Sequence, residues 1–589
     1  MTKAREAWLV AALAVLPLLP FLGAAVSIDA PVFVAVAEQI AAHPLDPYGF
    51  ELVWDPTSPR VAEFNHNPPL LSYWLAPVVA TLGTREWALH AALLPFPLLA
   101  ALAFLGIARR LAGAGAMPVA LLVATPAFVL LATTLLLDVP VLALMLASVY
   151  ALLRANDGGG ARWECASGLA AAAAALTKYV GMSALPLLAA GLLLLPARAP
   201  ITRARWLRIV GIPLAVLAGW GAFTHAVYGS VHFLGGVSLV AAKGSVKGEV
   251  WNQVLSLPVF YGAALGFPIL AWLARLARGA GGPGLTLASL AAGAAVVVLA
   301  LPEGNPVRRA PLDVEEAALG AIAYAGALIA WGEAGWRAAR SRGREDRFLL
   351  LWLGGLLVFS ALVNWHVNAA DALLAAPPLL LLMFRHGARP SPRAGALWAA
   401  SLLAFSLLLT ASDVRQRSVY REAAVRIARE IGDAPGARWL VGQWGFQHYL
   451  VREGFQPIRP PHYHPRFGAS TLAAGDWVAV ARNVSQLDVA GIMAAYGVER
   501  VRVWRFAAWL PLRATNPDAG AGFYTHMAGY VPFAWSWVPL EEIVLARVTS
   551  APDPPPKSGA DGSTPLGSEG RAIVVDQPRR QPIGGVATD

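Results

Sequence analysis

Long apolar segments alternate with short polar stretches through the first 411 residues of the chain. A helix needs ~20 predominantly apolar residues to cross the hydrocarbon core of a bilayer. Thirteen segments approach that length, so the pattern predicts a polytopic α-helical membrane protein with about thirteen transmembrane helices in residues 1–411. These segments are 8–26, 86–108, 116–135, 138–153, 163–177, 180–197, 209–228, 253–274, 283–301, 314–333, 348–364, 369–385 and 395–411.

The pattern changes after residue 411. A helix candidate, YREAAVRIAREIG, is followed by the strand-like runs ARWLVGQW, DWVAVARN, ERVRVWRF and EEIVLARV, which are separated by turn residues. We therefore expect a small soluble α/β domain over residues 412–550. The stretch APDPPPKSGADGSTPLGSEG then offers almost nothing to bury, which predicts a mostly disordered tail over 551–589.

Composition and charge support this topology. With 57% hydrophobic and 14% charged residues, the chain is not an ordinary soluble protein. The net charge is +10, but no basic cluster is interleaved with aromatic residues, so we predict no nucleic-acid partner. If the amino terminus is cytoplasmic, 20 Lys and Arg residues lie at the inner ends of the segments and 7 at the outer ends. This asymmetry predicts a multi-pass protein of the inner (cytoplasmic) membrane whose carboxyl-terminal domain is periplasmic or extracellular.

Two further features bear on the topology and on the possible chemistry. Segment 8–26 is long for a signal-peptide core and lacks a convincing cleavage site, so we expect it to be a retained helix. The single cysteine, Cys165, excludes an internal disulfide framework and a cysteine-based metal cluster.

The first outer loop, residues 27–85, is the longest early connection on the outer face and the expected place for a site. Asp29 stands at its start, directly before a helix-like stretch. Its carboxylate either caps that helix or acts as a general base at the bilayer surface, and both roles are compatible. Later in the loop, Pro68 and Pro69 interrupt any helix, and the apolar and aromatic run after them predicts an interfacial helix lying on the membrane.

Several stretches together carry a resemblance to a known family. They are NHNPPLLSYWLA in the first outer loop, LLLDVPVLALMLASVYALLR, AALTKYVGMSALPLLAAGLLLL, and, in the predicted outer domain, VGQWGFQHYLVREG and GFYTHMAGYVPFAWSWVP. In their order and layout they resemble the C-type glycosyltransferases that use lipid-linked sugars, specifically the bacterial relatives of protein O-mannosyltransferases and of the lipid A aminoarabinose transferase.

This resemblance implies an enzyme, a hexosyl- or pentosyltransferase whose transmembrane glycosyltransferase domain is residues 1–411. It would transfer a sugar from a polyprenyl-phosphate donor to an acceptor hydroxyl on the outer face, with inversion at the anomeric carbon. The implied catalytic base is Asp29. Many relatives have an Asp-Glu pair at this point, whereas this chain has Asp29 followed by Ala30. The implied partners are the polyprenyl-phosphate sugar donor, membrane lipid, and a lipid, glycan or protein acceptor.

A phosphate leaving group accumulates negative charge, which preorganised cations near the membrane surface would stabilise. Lys178, at the end of an apolar segment, is the best-placed candidate, and its alternative role is to snorkel to the headgroups. Four more basic residues lie in outer stretches and have two possible roles. They either bind the phosphate or are simply solvated or in contact with lipid. They are Lys243, Lys247, Arg308 and Arg309.

Three polar residues complete the predicted substrate-binding set. His66 and Asn67 would hydrogen-bond the sugar or the phosphate at the lip of a cavity, the alternatives being an ordinary surface histidine and a helix-capping asparagine. Asp138 begins an apolar segment, where an acid is either a cap or a functional group.

Other interpretations stay open at this point. His448, His462 and His464 suggest a metal site, although their spacing is not a recognised one. No cofactor is required by the pattern, and a divalent metal remains an open question. The alternative function is transport or flipping of a lipid-linked saccharide, for which related halves and ionisable groups near the bilayer midplane are typical.

Overall fold

The computed structural model describes residues 2–54, 59–198, 200–235, 250–277, 283–299, 314–364, 366–386, 390–459, 469–484 and 496–550. Residues 1–551 form one compact unit. Its helices are α1 Lys3–Val15, α2 Ala30–Ala42, α3 Val61–Phe64, α4 Leu70–Leu82, α5 Glu86–Leu93, α6 Pro95–Leu111, α7 Ala116–Val123, α8 Pro126–Ala132, α9 Asp138–Arg154, α10 Ala161–Thr177, α11 Ala184–Leu194, α12 Arg203–Trp206, α13 Ile212–Tyr228, α14 Val250–Leu265, α15 Phe267–Ala277, α16 Pro283–Leu299, α17 Val314–Ser341, α18 Arg344–Val358, α19 Ala369–His386, α20 Pro392–Ile431 and α21 Trp444–Arg452.

Eight helical segments within the described ranges are long and apolar enough to cross a bilayer. A pair of helices bent by 86°, Gln253–Leu265 and Phe267–Leu276, would make a ninth if it counts as one span. The fold is therefore a mostly helical, multi-pass one, as the hydropathy pattern predicts. The eight are Lys3–Phe21, Glu86–Leu111, Asp138–Gly159, Arg203–Tyr228, Val314–Ser341, Arg344–Val363, Ala369–His386 and Pro392–Ile431.

The predicted number of about thirteen spans is not confirmed, and local sequence explains part of the difference. Predicted span 116–135 divides into α7 and α8, because Thr125 caps a new helix whose first residue is Pro126. Predicted span 180–197 opens with a 3₁₀ turn, Tyr179–Ser183, and leaves only 11 residues in α11. The predicted tail, 551–589, lies outside the described residues.

The helical core is organised around α9 and α19. Helix α9 packs between α6 and α10, and α19 lies against α14, α17 and α18. Both helices are buried along most of their length although each has an aspartate in its first turn, Asp138 and Asp371. Because carboxylates are costly to bury, the starts of these two helices are the first places to look for a site.

Helix α20 runs for 40 residues without interruption, through the predicted domain boundary at 411/412. Its amino-terminal half is apolar, and its carboxyl-terminal half packs through Tyr420, Ala424 and Ile427 against the segment that follows. No glycine or proline occurs between Ala396 and Ile431, so nothing in the backbone ends the helix at the point where the sequence becomes polar. The division into domains stays a prediction.

The described residues after α20 contain nine short or medium strands. Five form one mixed sheet in the order β2-β1-β3-β9-β4, in which β1 is parallel to β2 and β3, and β9 is antiparallel to β3 and β4. The strand-like runs of the sequence correspond to β1, β3, β4 and β9. The strands are β1 Arg438–Val441, β2 Gln456–Pro457, β3 Trp477–Ala481, β4 Gly497–Phe506, β5 Leu512–Arg513, β6 Thr515–Asn516, β7 Ala521–Gly522, β8 Ala534–Trp535 and β9 Glu541–Ser550.

Helix α21 joins this sheet to the first outer loop. The hydroxyl of Tyr449 accepts the Val26 N–H at 2.9 Å and donates to the Glu86 carboxylate, also at 2.9 Å. The Gln447 side-chain amide donates to the Val53 carbonyl at 2.5 Å. These bonds fix the stretch of chain that contains Asp29 from the side of the carboxyl-terminal part.

Candidate active site

An ion pair joins the start of α9 to the end of α10. Asp138 is the first residue of α9, and Lys178 follows α10 in an extended conformation that ends the helix. The Lys178 Nζ lies 2.6 Å from Asp138 Oδ1. The Asp138 side chain is 7% exposed and that of Lys178 is 31% exposed, so the acid is buried while the lysine side chain is partly exposed. Lys178 therefore has an internal anionic partner, and Asp138 makes no side-chain capping bond.

A second carboxylate, Asp371, acts electrostatically on the same ammonium. Its two oxygens accept the Asn364 side-chain amide at 3.1 and 3.2 Å, and one also accepts the Asn368 backbone N–H at 3.2 Å. The Asn368 side-chain oxygen in turn accepts the N–H groups of Ala370 and Asp371 at 2.9 and 3.1 Å. Asp371 is thus held by a local capping network at the start of α19.

Asp29 is the third carboxylate that acts on Lys178. It is exposed and occupies the position before α2, but its side chain makes no capping bond to that helix. The preceding residue, Ile28, has a φ of 56°, a left-handed conformation that costs a β-branched residue about 1–3 kcal/mol. The strained turn directs the chain into α2 and leaves the Asp29 carboxylate at the surface.

Residues 523–526 of the carboxyl-terminal part support the start of α19. The Ala369 N–H donates to the Phe523 carbonyl at 3.0 Å, and His526 and Val367 exchange two hydrogen bonds. The Tyr524 hydroxyl donates to Asp413 at 3.2 Å, and burial, followed by the nearby Asp413 carboxylate, raises the pKa of Tyr524. The stretch GFYTHMAGY therefore lies against the acidic cluster.

A buried ion pair of α20 adjoins the same region. The Arg417 Nε lies 2.8 Å from Asp413 Oδ2, and an Arg417 guanidinium N–H donates to the Thr133 carbonyl at 3.0 Å. Both side chains are 4% exposed. Since Thr133 lies in the connection between α8 and α9, Arg417 holds the segment that leads into Asp138.

His66 lines a cavity of about 600 Å³. The cavity, called here the first-loop cavity, lies between the first outer loop and the end of α13. The Tyr179 hydroxyl, one residue after Lys178, is 2.6 Å from Nδ1 of His232 in the cavity wall. The first-loop cavity is lined by Tyr48, Gly49, Phe50, Glu51, Arg60, Ala62, Glu63, His66, Val227, Tyr228, Ser230, His232 and Gly235.

Asn67 forms hydrogen bonds through its backbone and does not cap a helix. Its carbonyl accepts the Tyr48 hydroxyl at 2.7 Å, and its N–H donates to the Asn65 side chain at 3.1 Å. The N-terminal cap position of α4 is Pro69, so the alternative in which Asn67 caps this helix is wrong. The Tyr48 hydroxyl thus fixes the backbone at the residue that follows His66.

The remaining predicted residues fall elsewhere. Lys243, Lys247, Arg308 and Arg309 lie outside the described residues, as do His462 and His464. His448 is on α21, and burial lowers its pKa to about 3. No cluster of three or more His, Cys, Asp and Glu side chains suited to a metal ion occurs in the described ranges.

Sequence reasoning missed Asp371, Tyr524 and the Asp413–Arg417 pair as parts of the site. For Asp371 a signal was present, since an acid followed by an almost wholly apolar helix is the same pattern that singled out Asp138. Tyr524 lies in the quoted stretch GFYTHMAGY, but nothing local identifies it as a partner of an aspartate on another helix.

One family model matches part of this chain. The family model of dolichyl-phosphate-mannose-protein mannosyltransferases matches residues 66–221, which include His66, Asn67, Asp138 and Lys178. Asp29 and Asp371 lie outside the matched range. The search of curated proteins finds no match. The resemblance to C-type glycosyltransferases that the sequence motifs indicate is thereby confirmed.

Solved structures of this kind are also similar, at low identity. The Saccharomyces cerevisiae protein O-mannosyltransferase Pmt1-Pmt2 complex bound to the sugar donor is 19% identical over 39% of this chain and 35% of that chain, with a TM-score of 0.29. ArnT from Cupriavidus metallidurans bound to undecaprenyl phosphate is 14% identical over 94% of this chain and 99% of that chain, with a TM-score of 0.42. The Archaeoglobus fulgidus oligosaccharyltransferase is 12% identical over 79% of this chain and 65% of that chain, with a TM-score of 0.43. The chain thus spans about a third of the first of these proteins and nearly the whole of the second.

Proposed function

We propose that the protein is a membrane glycosyltransferase that moves a sugar from a polyprenyl-phosphate-linked donor to an acceptor hydroxyl on the outer face. The observation that carries the proposal is the 2.6 Å ion pair between Asp138 and Lys178, on whose ammonium the carboxylates of Asp29 and Asp371 also act electrostatically. Two of these carboxylates stand at the starts of buried apolar helices, and both members of the ion pair fall within the range matched by the mannosyltransferase family model.

Asp29 is the proposed general base. It takes the proton of the acceptor hydroxyl as that oxygen attacks the anomeric carbon from the side opposite the phosphate. The bond between the anomeric carbon and the phosphate oxygen breaks, and its electron pair leaves with the polyprenyl phosphate, so the configuration inverts. A base of this kind typically contributes ~10²- to 10⁴-fold. The exposed carboxylate of Asp29, which makes no capping bond to α2, supports this assignment.

Lys178 is the proposed contact to the donor phosphate. Negative charge grows on the phosphate as the glycosidic bond breaks, and an already oriented cation stabilises it better than water does. The ammonium has three N–H donors, so it can keep its bond to Asp138 while donating another to a phosphate oxygen. Asp138 then positions Lys178, and Asp371 adds negative potential that keeps the amine protonated.

The proposal is tested with the full-length protein in lipid nanodiscs that contain undecaprenyl-phosphate-linked hexoses or pentoses. Lipid, glycan and protein fractions of the cell envelope are added separately, and the release of undecaprenyl phosphate and the mass of the product are measured by mass spectrometry. We expect release that depends on one of these fractions. An intact donor in every combination would overturn the proposal.

Asp29→Asn is the decisive variant, and Glu38→Gln, an exposed acid on the same helix, is its matched control. Asp29→Asn should lower turnover by ~10²-fold or more, while Glu38→Gln should stay near the wild-type rate. Equal turnover by wild type and Asp29→Asn would remove the base assignment.

The alternative, transport or flipping of a lipid-linked saccharide, draws support from the buried acids Asp138 and Asp371 at the starts of apolar helices. The same nanodisc experiment separates the two functions, because a flippase leaves the bond between sugar and phosphate intact. Transfer of unchanged donor between leaflets of a vesicle, without release of undecaprenyl phosphate, would favour the transporter.

A further inference from the structure

The first-loop cavity has a rigid wall built from two tyrosines. The Tyr228 hydroxyl accepts the Tyr48 N–H at 3.1 Å and donates to Asp46 at 2.8 Å. The Tyr48 ring stacks on the His232 imidazole, with 4.8 Å between the ring centres and 12° between the planes. Since each of these groups is fixed by another, the cavity is formed in advance of any ligand.

His232 supports this wall from behind. Its Nδ1 shares a hydrogen bond with the Tyr179 hydroxyl at 2.6 Å, and Trp220 Nε1 donates to the same hydroxyl at 3.0 Å. The imidazole also bonds the Asn65 backbone and is only 5% exposed. His232 therefore holds the wall in place.

The imidazole of His232 is neutral at physiological pH. Burial lowers its pKa to about 4, and the nearby Asn65 carbonyl offsets only part of that effect. The cavity wall therefore carries an uncharged imidazole at this point, and an anion gains no ion pair there.

The charges around the first-loop cavity are unsuited to phosphate. Two carboxylates, Glu51 and Glu63, line it together with one guanidinium, Arg60, which lies 3.2 Å from Glu63. Carboxylates repel phosphate but accept hydrogen bonds from hydroxyl groups, and the partly exposed Tyr228 ring provides flat apolar contact. A volume of about 600 Å³ lies within the range of small-ligand sites. This combination fits an uncharged polyhydroxyl compound.

We infer that the first-loop cavity binds the saccharide portion of the acceptor. The inference rests on the proposed function, and it adds the substrate class: the acceptor is a glycan or a glycolipid with exposed sugar hydroxyls. The hydrogen bond between Tyr179 and His232 joins the cavity wall to the residue that follows Lys178, the cation assigned to the donor phosphate.

Gly235 provides a variant that fills the cavity. A Cβ at this position would lie 3.2 Å from His66 Nδ1, so the side chain of Gly235→Leu would extend toward the His66 ring. Gly219→Leu is the matched control, because Gly219 is exposed on α13 and a Cβ there has no heavy atom within 4 Å. Glu51→Gln is a second test that preserves shape and removes one charge.

The experiment measures two kinds of binding to the full-length protein in nanodiscs. Free di- and trisaccharides of hexoses, pentoses and hexosamines are screened by saturation-transfer NMR, and undecaprenyl phosphate binding is measured by native mass spectrometry. We expect at least one saccharide to bind to wild type and to Gly219→Leu. Gly235→Leu should lower the affinity for that saccharide by at least about tenfold. Glu51→Gln should lower it by about tenfold, because a charge-assisted hydrogen bond is lost. Both variants should still bind undecaprenyl phosphate.

The outcomes separate the two proposals. Absence of saccharide binding to wild type, or equal saccharide affinity of wild type and Glu51→Gln, would overturn the inference while the undecaprenyl phosphate arm still supports the proposed function. If Gly235→Leu also loses binding of undecaprenyl phosphate, the saccharide affinity of Glu51→Gln decides whether the inference holds. Saccharide binding without any binding of undecaprenyl phosphate would instead contradict the donor proposed for the enzyme.

Discussion

The ammonium of Lys178 lies 2.6 Å from the carboxylate of Asp138, a residue 40 positions earlier in the chain. The packing of α10 against α9 brings the two together, and it does so where each helix meets a connection. The pair is asymmetric, because the acid is buried and the amine is partly exposed. An amine held this way is positioned by its partner and still accessible to a ligand.

Replacing Lys178 with alanine should reduce both stability and donor binding. The variant leaves Asp138 buried without its cation, and we expect a loss of about 2 kcal/mol, less than for a fully buried pair because Lys178 is partly exposed. The double variant Lys178→Met with Asp138→Asn should recover most of the thermal stability but not the turnover. Melting temperature and undecaprenyl phosphate release check the two effects separately, and recovered turnover would show that the pair is only structural.

The side chain of Asn368 should matter to activity through Asp371. Asn368→Ala removes the oxygen that accepts two N–H groups at the start of α19, which should cost about 1 kcal/mol and loosen Asp371. Ser391→Ala is the control, because it removes the capping oxygen of α20 at an exposed position. Both variants should melt lower than wild type, and only Asn368→Ala should turn over more slowly. Equal activity of the two would exclude a role for the orientation of Asp371.

Much of this arrangement follows from local sequence. The apolar run from residue 138 corresponds to α9, and the alternation in EEIVLARV corresponds to β9, because each pattern reports only what its own residues bury. Asp138 and Lys178 stand out for the same reason, as ionisable residues at the ends of apolar runs.

Other features depend on packing between distant segments. Asp371 acts on an amine 193 positions away, and Tyr524 bonds Asp413 across 111 positions, relationships that no periodicity contains. The length of α20 was open to prediction, since Ala396–Ile431 contains no helix breaker, but the change from apolar to charged residues suggested a boundary instead.

Acid should destabilise the protein in part through His448. Burial, followed by repulsion from Arg452, lowers the pKa of His448 to about 3, below the ordinary value near 6.5 that it regains on unfolding. The unfolded chain therefore binds a proton first, and stability falls as the pH drops below about 6.5, by at most about 2 kcal/mol at pH 5. His448→Gln should flatten this part of the curve of melting temperature against pH. The exposed His43 supplies the control, and His43→Gln should follow the wild-type curve. Identical acid sensitivity of His448→Gln and wild type would contradict the assignment.

Two ion pairs on α20 should respond very differently to loss of their arginines. Arg417 is 4% exposed and pairs with an equally buried Asp413, whereas Arg426 is 49% exposed and pairs with Glu422. Arg417→Met leaves a carboxylate buried without its cation, so we expect a loss of about 3 kcal/mol or more, against less than about 1 kcal/mol for Arg426→Met. Adding Asp413→Asn to Arg417→Met removes the uncompensated charge and keeps an oxygen for the Tyr524 hydroxyl, so most of the stability should return. Thermal melting of the four proteins, wild type included, tests this. If the double variant melts no higher than Arg417→Met, the lost stability comes instead from the hydrogen bond that Arg417 donates to the Thr133 carbonyl. In that case the turnover of the double variant reports how strongly this bond holds the segment that leads into Asp138.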